Sequence, residues 1–221
     1  MSLNNPPDLV IFDWDGTLMD STARIVSCCQ KAAVEVNLPV PEAEAVRQII
    51  GLNLTRSFEI LFPTANDDDK NRLNASYRTL YIETDTTPSP VFDGAVELLT
   101  QLRSNDIKLA VATGKARQGL DRVMGISNLG EFFDDSICAD EATGKPHPDM
   151  LHILLDRFKM DVGQAVMIGD TEHDLEMAHN AEMKSVGVSH GAHSVEQLQK
   201  WQPLSILDHL LELPKVLSIG I

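Results

Sequence analysis

Long apolar runs are missing from this 221-residue chain. No stretch approaches the ~18 apolar residues that a membrane helix needs, and the start carries no basic-then-apolar leader pattern. A cytoplasmic protein with no membrane partner is the expectation. Basic residues are also scarce: 18 Lys plus Arg stand against 33 Asp plus Glu, a formal net charge of -15. That balance argues against nucleic acid as a partner, because binding it starts from a basic patch. A small anion would meet the same repulsive field, so a site for one needs local positive charge from a metal, a lysine or helix N-termini. Cysteines number three, Cys28, Cys29 and Cys138. An odd count without metal-ligand spacing reads as reduced core thiols. Repeats and low-complexity tracts are absent. At ~100–200 residues per domain the length allows one core with a smaller companion, as a monomer or weak homodimer.

What is present begins with a short apolar run at Leu9 that ends in Asp13-Trp14-Asp15-Gly16-Thr17. Residues two apart on an extended chain share a face, so Asp13 and Asp15 look into one space and Trp14 away from it. Ser21 is placed to cap a helix running to about Val36. Helical patterns continue to about residue 86, interrupted at Asn37–Pro41 and at Gly51, and a fourth, polar helix carries Tyr77 and Tyr81. The segment Thr86-Thr87-Pro88-Ser89-Pro90 reads as an extended hinge. Beyond it, helices alternate with short apolar strands at 108–113, 135–140, 165–168 and 185–188, with a helix starting at Pro148 and two helices at the C-terminus. Such alternation predicts an α/β fold: a doubly wound parallel sheet, residues 1–20 and 87–221, with an inserted helical domain, residues 21–86.

In open parallel sheets ligands bind beyond the carboxyl ends of the strands, at the point where strand order switches. Asp13 and Asp15, Thr113-Gly114, Lys145-Pro146, and Gly169-Asp170-Thr171 with Asp174 fall at or near such ends. Each suits phosphoryl transfer. Asp13 is the candidate nucleophile and Asp15 the candidate acid and base. A hard divalent cation, Mg2+ above all, suits paired carboxylates and would bridge Asp13 and Asp170, with Asp174 four residues further on. Thr113 offers a hydroxyl and Gly114 an approachable N–H to a phosphate oxygen, and Lys145 a compact positive charge. His147, His173, His190 and His193 carry no metal-ligand spacing and are assigned nothing.

This order of residues resembles all four signatures of the haloacid dehalogenase superfamily of phosphohydrolases, and the layout is similar to its phosphoglycolate phosphatase branch. The resemblance implies a Rossmann-like core with a mobile helical cap, and a Mg2+-dependent phosphoric monoester hydrolase acting on a small phosphorylated metabolite, 2-phosphoglycolate among the candidates, through an aspartyl-phosphate. It implies metal ligation by the Asp13 side chain, the Asp15 backbone carbonyl and Asp170, supported by Asp174. Gln48, Asn53 and Arg56, around the Gly51 break, are the candidate specificity residues of the cap. The alternatives are a sugar-phosphate mutase resembling β-phosphoglucomutase, weakened because Gln48-Ile49-Ile50 lacks the basic residue usual before the glycine, and a non-enzymatic phospho-receiver or binding module.

Overall fold

Every residue of β1 (Leu9–Phe12) is apolar and fully buried, as a strand covered on both faces requires. The computed structural model describes residues 5–219, so the expected outer limits of the core, 1 and 221, lie outside them. Around β1 run β2 (Lys108–Thr113), β3 (Asp135–Cys138), β4 (Ala165–Gly169), β5 (Lys184–Val188) and β6 (Ile206–Leu207). They form one parallel sheet in the order β3-β2-β1-β4-β5-β6. This is the doubly wound order, and it switches direction between β1 and β4.

Alternate residues of β1 feed two different cores. Val10 and Phe12 join Leu98, Leu99 and Leu102 of α5 (Ala95–Ser104), Leu120 of α6 (Arg117–Ser127) and Leu213 of α10 (Leu213–Val216). Leu9 and Ile11 join Met150, Leu151 and Leu154 of α7 (Asp149–Phe158) and Met177 and Ala178 of α8 (Glu172–Asn180). The core also carries the short α9 (Val195–Gln199). Among the described residues no helix is long and apolar enough to cross a membrane.

Between β1 and α5 the chain is helical: α1 (Thr22–Glu35), α2 (Ala43–Arg47), α3 (Leu54–Leu61) and α4 (Asp67–Thr79). These helices share an apolar cluster built on Ile25, Cys28, Cys29, Phe58 and Leu73. All three cysteines are buried and unpaired, and burial pushes their thiols up to about 12.

Several local expectations are corrected. Ser21 stands at the N-cap of α1 but its backbone is helical, φ -105 and ψ -5, so its hydroxyl makes no cap bond; an N-cap needs extended backbone to reach N2 or N3. The fourth helix does not stay α-helical through Tyr81: it opens into a π-turn at Leu80–Thr84. Pro148 precedes α7 as its N-cap instead of being its first residue. A two-residue strand, β6, was not anticipated; its single ladder to β5 is too short to leave a periodic pattern.

Candidate active site

Strand register brings the acids together. Phe12 lies opposite both Val111 of β2 and Ile168 of β4, so the residues just beyond, Asp13, Thr113 and Asp170, emerge at one edge of the sheet. The Asp13 backbone N–H still donates to the Ile168 carbonyl at 2.9 Å, fixing it between β1 and β4 at the switch point.

Asp174 is aimed by a capping box. Thr171 caps α8, accepting from the Asp174 N–H, while the Thr171 N–H (3.1 Å) and hydroxyl (2.7 Å) donate to Asp174 Oδ2. That leaves Asp174 Oδ1 to accept from Lys145 Nζ at 2.6 Å, and the same ammonium reaches Asp13 Oδ1 at 2.7 Å. Asp170 is held from both sides, by the Thr17 hydroxyl at 2.8 Å and the Ala192 N–H at 2.8 Å. Gly16, at φ +83, passes so close to the Asp170 carboxylate that a side chain there would overlap it.

Asp13, Asp170 and Asp174 are all buried, with one carboxylate oxygen from each lying within 4.8 Å of the others. Burial first, then the neighbouring Asp174, pushes the Asp13 carboxyl up to about 7 against the pull of Lys145. Burial and the charges of Asp13 and Asp174 push Asp170 well above the usual carboxylate range. Burial alone would lower Lys145, but Asp13 and Asp174 hold its ammonium charged. Were all three carboxyls ionised, the one ammonium would leave two negative charges, and Asp13 Oδ2 is buried with no hydrogen-bond partner. An oxygen donor set short of two positive charges suits a hard divalent cation.

The Asp15 carboxylate stands apart from this cluster. Its Oδ1 accepts from the Ser21 hydroxyl at 2.6 Å and its Oδ2 pairs with Lys115 Nζ at 2.9 Å. Burial alone would lower Lys115, but Asp15 and Tyr81 hold it charged. Both oxygens of the Asp15 carboxylate are thus engaged by other side chains.

A cavity of about 630 Å3 connects the two carboxylates at positions 13 and 15 with Thr113 and Gly114 on the core side and with Asn53 and Arg56 on the helical side. Gln48, the third candidate of the helical block, does not line it. Its side-chain oxygen accepts from Gln197 at 2.7 Å and its carbonyl lies 3.1 Å from His173 Nε2, so it fastens the block to α8 and α9. Asn53 lines the cavity while its side chain caps α3, accepting from the Arg56 N–H at 2.8 Å. Among the histidines, His193 accepts from the Glu172 N–H and His190 lies 3.2 Å from the Thr17 carbonyl, bracing the loop around Asp170. Trp14 is fully buried against Phe133, away from the acids.

Ser21 and Lys115 are partners of Asp15 that the sequence alone does not reveal. The available signal was weak: Ser21 follows the Asp13–Asp15 stretch and Lys115 follows Thr113-Gly114, but neither lies in those motifs.

The family model of haloacid dehalogenase-like hydrolases matches residues 10–188. A protein of Dickeya dadantii named "Probable phosphatase IndB" is 36% identical over 208 residues, 92% of this chain and 90% of its own length. A phosphoglycolate phosphatase of Nitrosococcus oceani is 26% identical over 218 residues, 96% of this chain and 97% of that one. Among solved structures, a haloacid dehalogenase-like family hydrolase from Streptococcus pneumoniae superposes with a TM-score of 0.82 at 25% identity, covering 95% of this chain and 97% of that chain.

Proposed function

Because the chain belongs to the haloacid dehalogenase-like hydrolases and is a phosphoric monoester hydrolase, we propose that it cleaves a small phosphomonoester with Asp13 as nucleophile and Asp15 as acid and base. The observation that carries this reading is that Asp13 lines the cavity, with Oδ1 held by Lys145 and Oδ2 without a hydrogen-bond partner. The ammonium fixes the direction of the carboxylate, and one of its oxygens attacks phosphorus. Its bond to phosphorus forms as the bond to the leaving oxygen breaks, and Asp15 supplies the proton that the alkoxide needs. Asp15 then takes a proton from the water that hydrolyses the aspartyl-phosphate, returning Asp13. Thr113 and the Gly114 N–H bind phosphate oxygens, and Lys145 offsets charge between the phosphoryl group and Asp13.

Asp13, the Asp15 carbonyl and Asp170 would hold Mg2+, with Asp174 supporting through Lys145. When bound, the ion supplies charge neutralisation for the phosphoryl oxygens. Residues 21–86 act as a cap domain that excludes water from this site, with Asn53 and Arg56 meeting the substrate. 2-Phosphoglycolate is the first substrate to try, since a relative is named for it. Membership among the hydrolases weighs against the phospho-receiver alternative.

The test is phosphate release from a panel of sugar phosphates, phosphoglycolate, nucleotides and phosphonates, with Mg2+ and with chelator. Release from at least one member, lost with chelator and restored by Mg2+, is expected. A folded protein that releases phosphate from none contradicts the proposal.

A further inference from the structure

Lys115 follows Thr113 by two residues, and its own N–H donates to the Thr113 hydroxyl oxygen at 3.2 Å, so its backbone is tied to the end of β2. Its ammonium lies 2.9 Å from Asp15 Oδ2 and donates to the Tyr81 hydroxyl at 3.2 Å. The ammonium also sits 4.5 Å from the centre of the Tyr81 ring, within cation–π range. Asp15 and Lys115 belong to the core, whereas Tyr81 comes from the π-turn of the inserted helices. Tyr81 is itself fixed from within the insert. Arg24 of α1 donates to its carbonyl at 2.8 Å and lies 5.0 Å from its ring centre, and Tyr77 stacks on it at 5.8 Å.

We propose that Lys115 is a positioning residue for the Asp15 carboxyl, held in place by Tyr81, so that proton delivery to the leaving group requires the insert to be seated. A lysine side chain in water samples many rotamers and gives no fixed direction to a carboxylate. Covered by an aromatic face and donating to a fixed hydroxyl, it holds one orientation. General acid catalysis needs that orientation, because a carboxyl set a few tenths of an ångström wrong transfers its proton poorly. The inference rests on the reading of Asp15 as acid and base.

The test compares kcat/KM for an alkyl phosphate, whose alkoxide must be protonated to leave, with p-nitrophenyl phosphate, whose phenolate leaves without a proton. Because kcat/KM covers only steps through release of the alcohol, the ratio isolates the acid role. Lys115→Met loses about 10–100-fold on the alkyl ester and less than about threefold on the aryl ester. Tyr81→Leu shifts the ratio the same way, to a smaller extent. Lys115→Gln, which keeps a polar chain of similar reach, serves where Lys115→Met melts early, and follows the same pattern. Equal losses on both esters overturn the inference, since they mark a phosphate ligand or a damaged fold. An unchanged ratio in Tyr81→Leu overturns the dependence on the insert. Asp15→Asn on the same pair separates the two levels. If it discriminates and Lys115→Met does not, only this inference fails; if it does not discriminate, the acid/base reading itself fails.

Discussion

Gly114, at the end of β2, lies directly beneath the Gly51 carbonyl of the inserted helices. A methyl group at 114 would overlap that oxygen and stand 2.7 Å from the Leu52 carbonyl as well. Backbone is in the way, so no side-chain rotation relieves the clash. Gly114→Ala therefore lifts the Gly51–Leu52 turn off the core. With far-UV circular dichroism unchanged, kcat/KM should fall about a hundredfold, the scale of a misplacement of roughly 1 Å. Unaltered kinetics would mean that the turn need not seat for catalysis.

Lys145 is the single ammonium among three buried carboxylates, 2.7 Å from Asp13 and 2.6 Å from Asp174. Lys145→Ala leaves those charges uncompensated. Denaturant unfolding of the metal-free protein should show a loss of about 3–5 kcal/mol, the usual result of breaking a buried pair from one side, together with loss of turnover. A change below about 1 kcal/mol would show that the carboxylates are neutralised in another way.

Asp13→Asn should abolish turnover and yet stabilise the metal-free fold. Burial, and then Asp174, raises the Asp13 carboxyl to about 7. The folded state thus binds that proton more tightly than the unfolded state, so stability declines as pH rises from about 4 to about 7 and stays low above it. The amide avoids this cost. Differential scanning fluorimetry with chelator should give Asp13→Asn a higher Tm than the parent at pH 8, with the gap closing toward pH 4. A lower Tm at pH 8 would contradict the electrostatic account.

Asp85 shows the opposite sign. Burial would raise its carboxyl, but bonds from Lys31 (2.7 Å), Ser27 (2.7 Å) and the Thr87 N–H (2.8 Å) hold it well below the usual carboxylate range. Its stabilising share is fully present above about pH 4 and disappears as pH falls through the lowered value. This carboxylate ties α1 to the exit of the insert. Asp85→Asn should cost about 1–2 kcal/mol at pH 7, with the parent and variant converging as the pH approaches about 2. A constant gap across that range would show that the carboxylate's charge is not what holds the joint.

The sheet and its acids were legible because they leave local marks. An apolar run ending in alternating carboxylates, as at Leu9 to Asp15, is a buried strand meeting a polar sheet edge, and Gly169-Asp170-Thr171 with Asp174 carries its own helix-start chemistry. Lys145 was readable only as one member of an ordered set; nothing local tells that its ammonium crosses 132 positions to Asp13. Ser21 misled because serine before an apolar helix is a good cap, and only the fold shows that Asp15 takes its hydroxyl. Lys115 and Tyr81 meet across 34 positions and from different parts of the chain, and the π-turn that presents Tyr81 has no sequence signature of its own. Gln48 stands near the Gly51 break, but its side-chain oxygen accepts from Gln197, a partner 149 positions away that no local pattern announces.

The central claim is that Asp13 takes up the phosphoryl group. Rapid quenching during turnover, borohydride reduction of the acyl phosphate and peptide mass spectrometry read that event at a single residue. The account predicts that position 13 is converted to homoserine only when substrate and Mg2+ are both present, and that with an aryl phosphate, whose leaving group needs no proton, Asp15→Asn increases the trapped fraction. Phosphate release at full rate with position 13 never modified, or with the label on another residue, would contradict it.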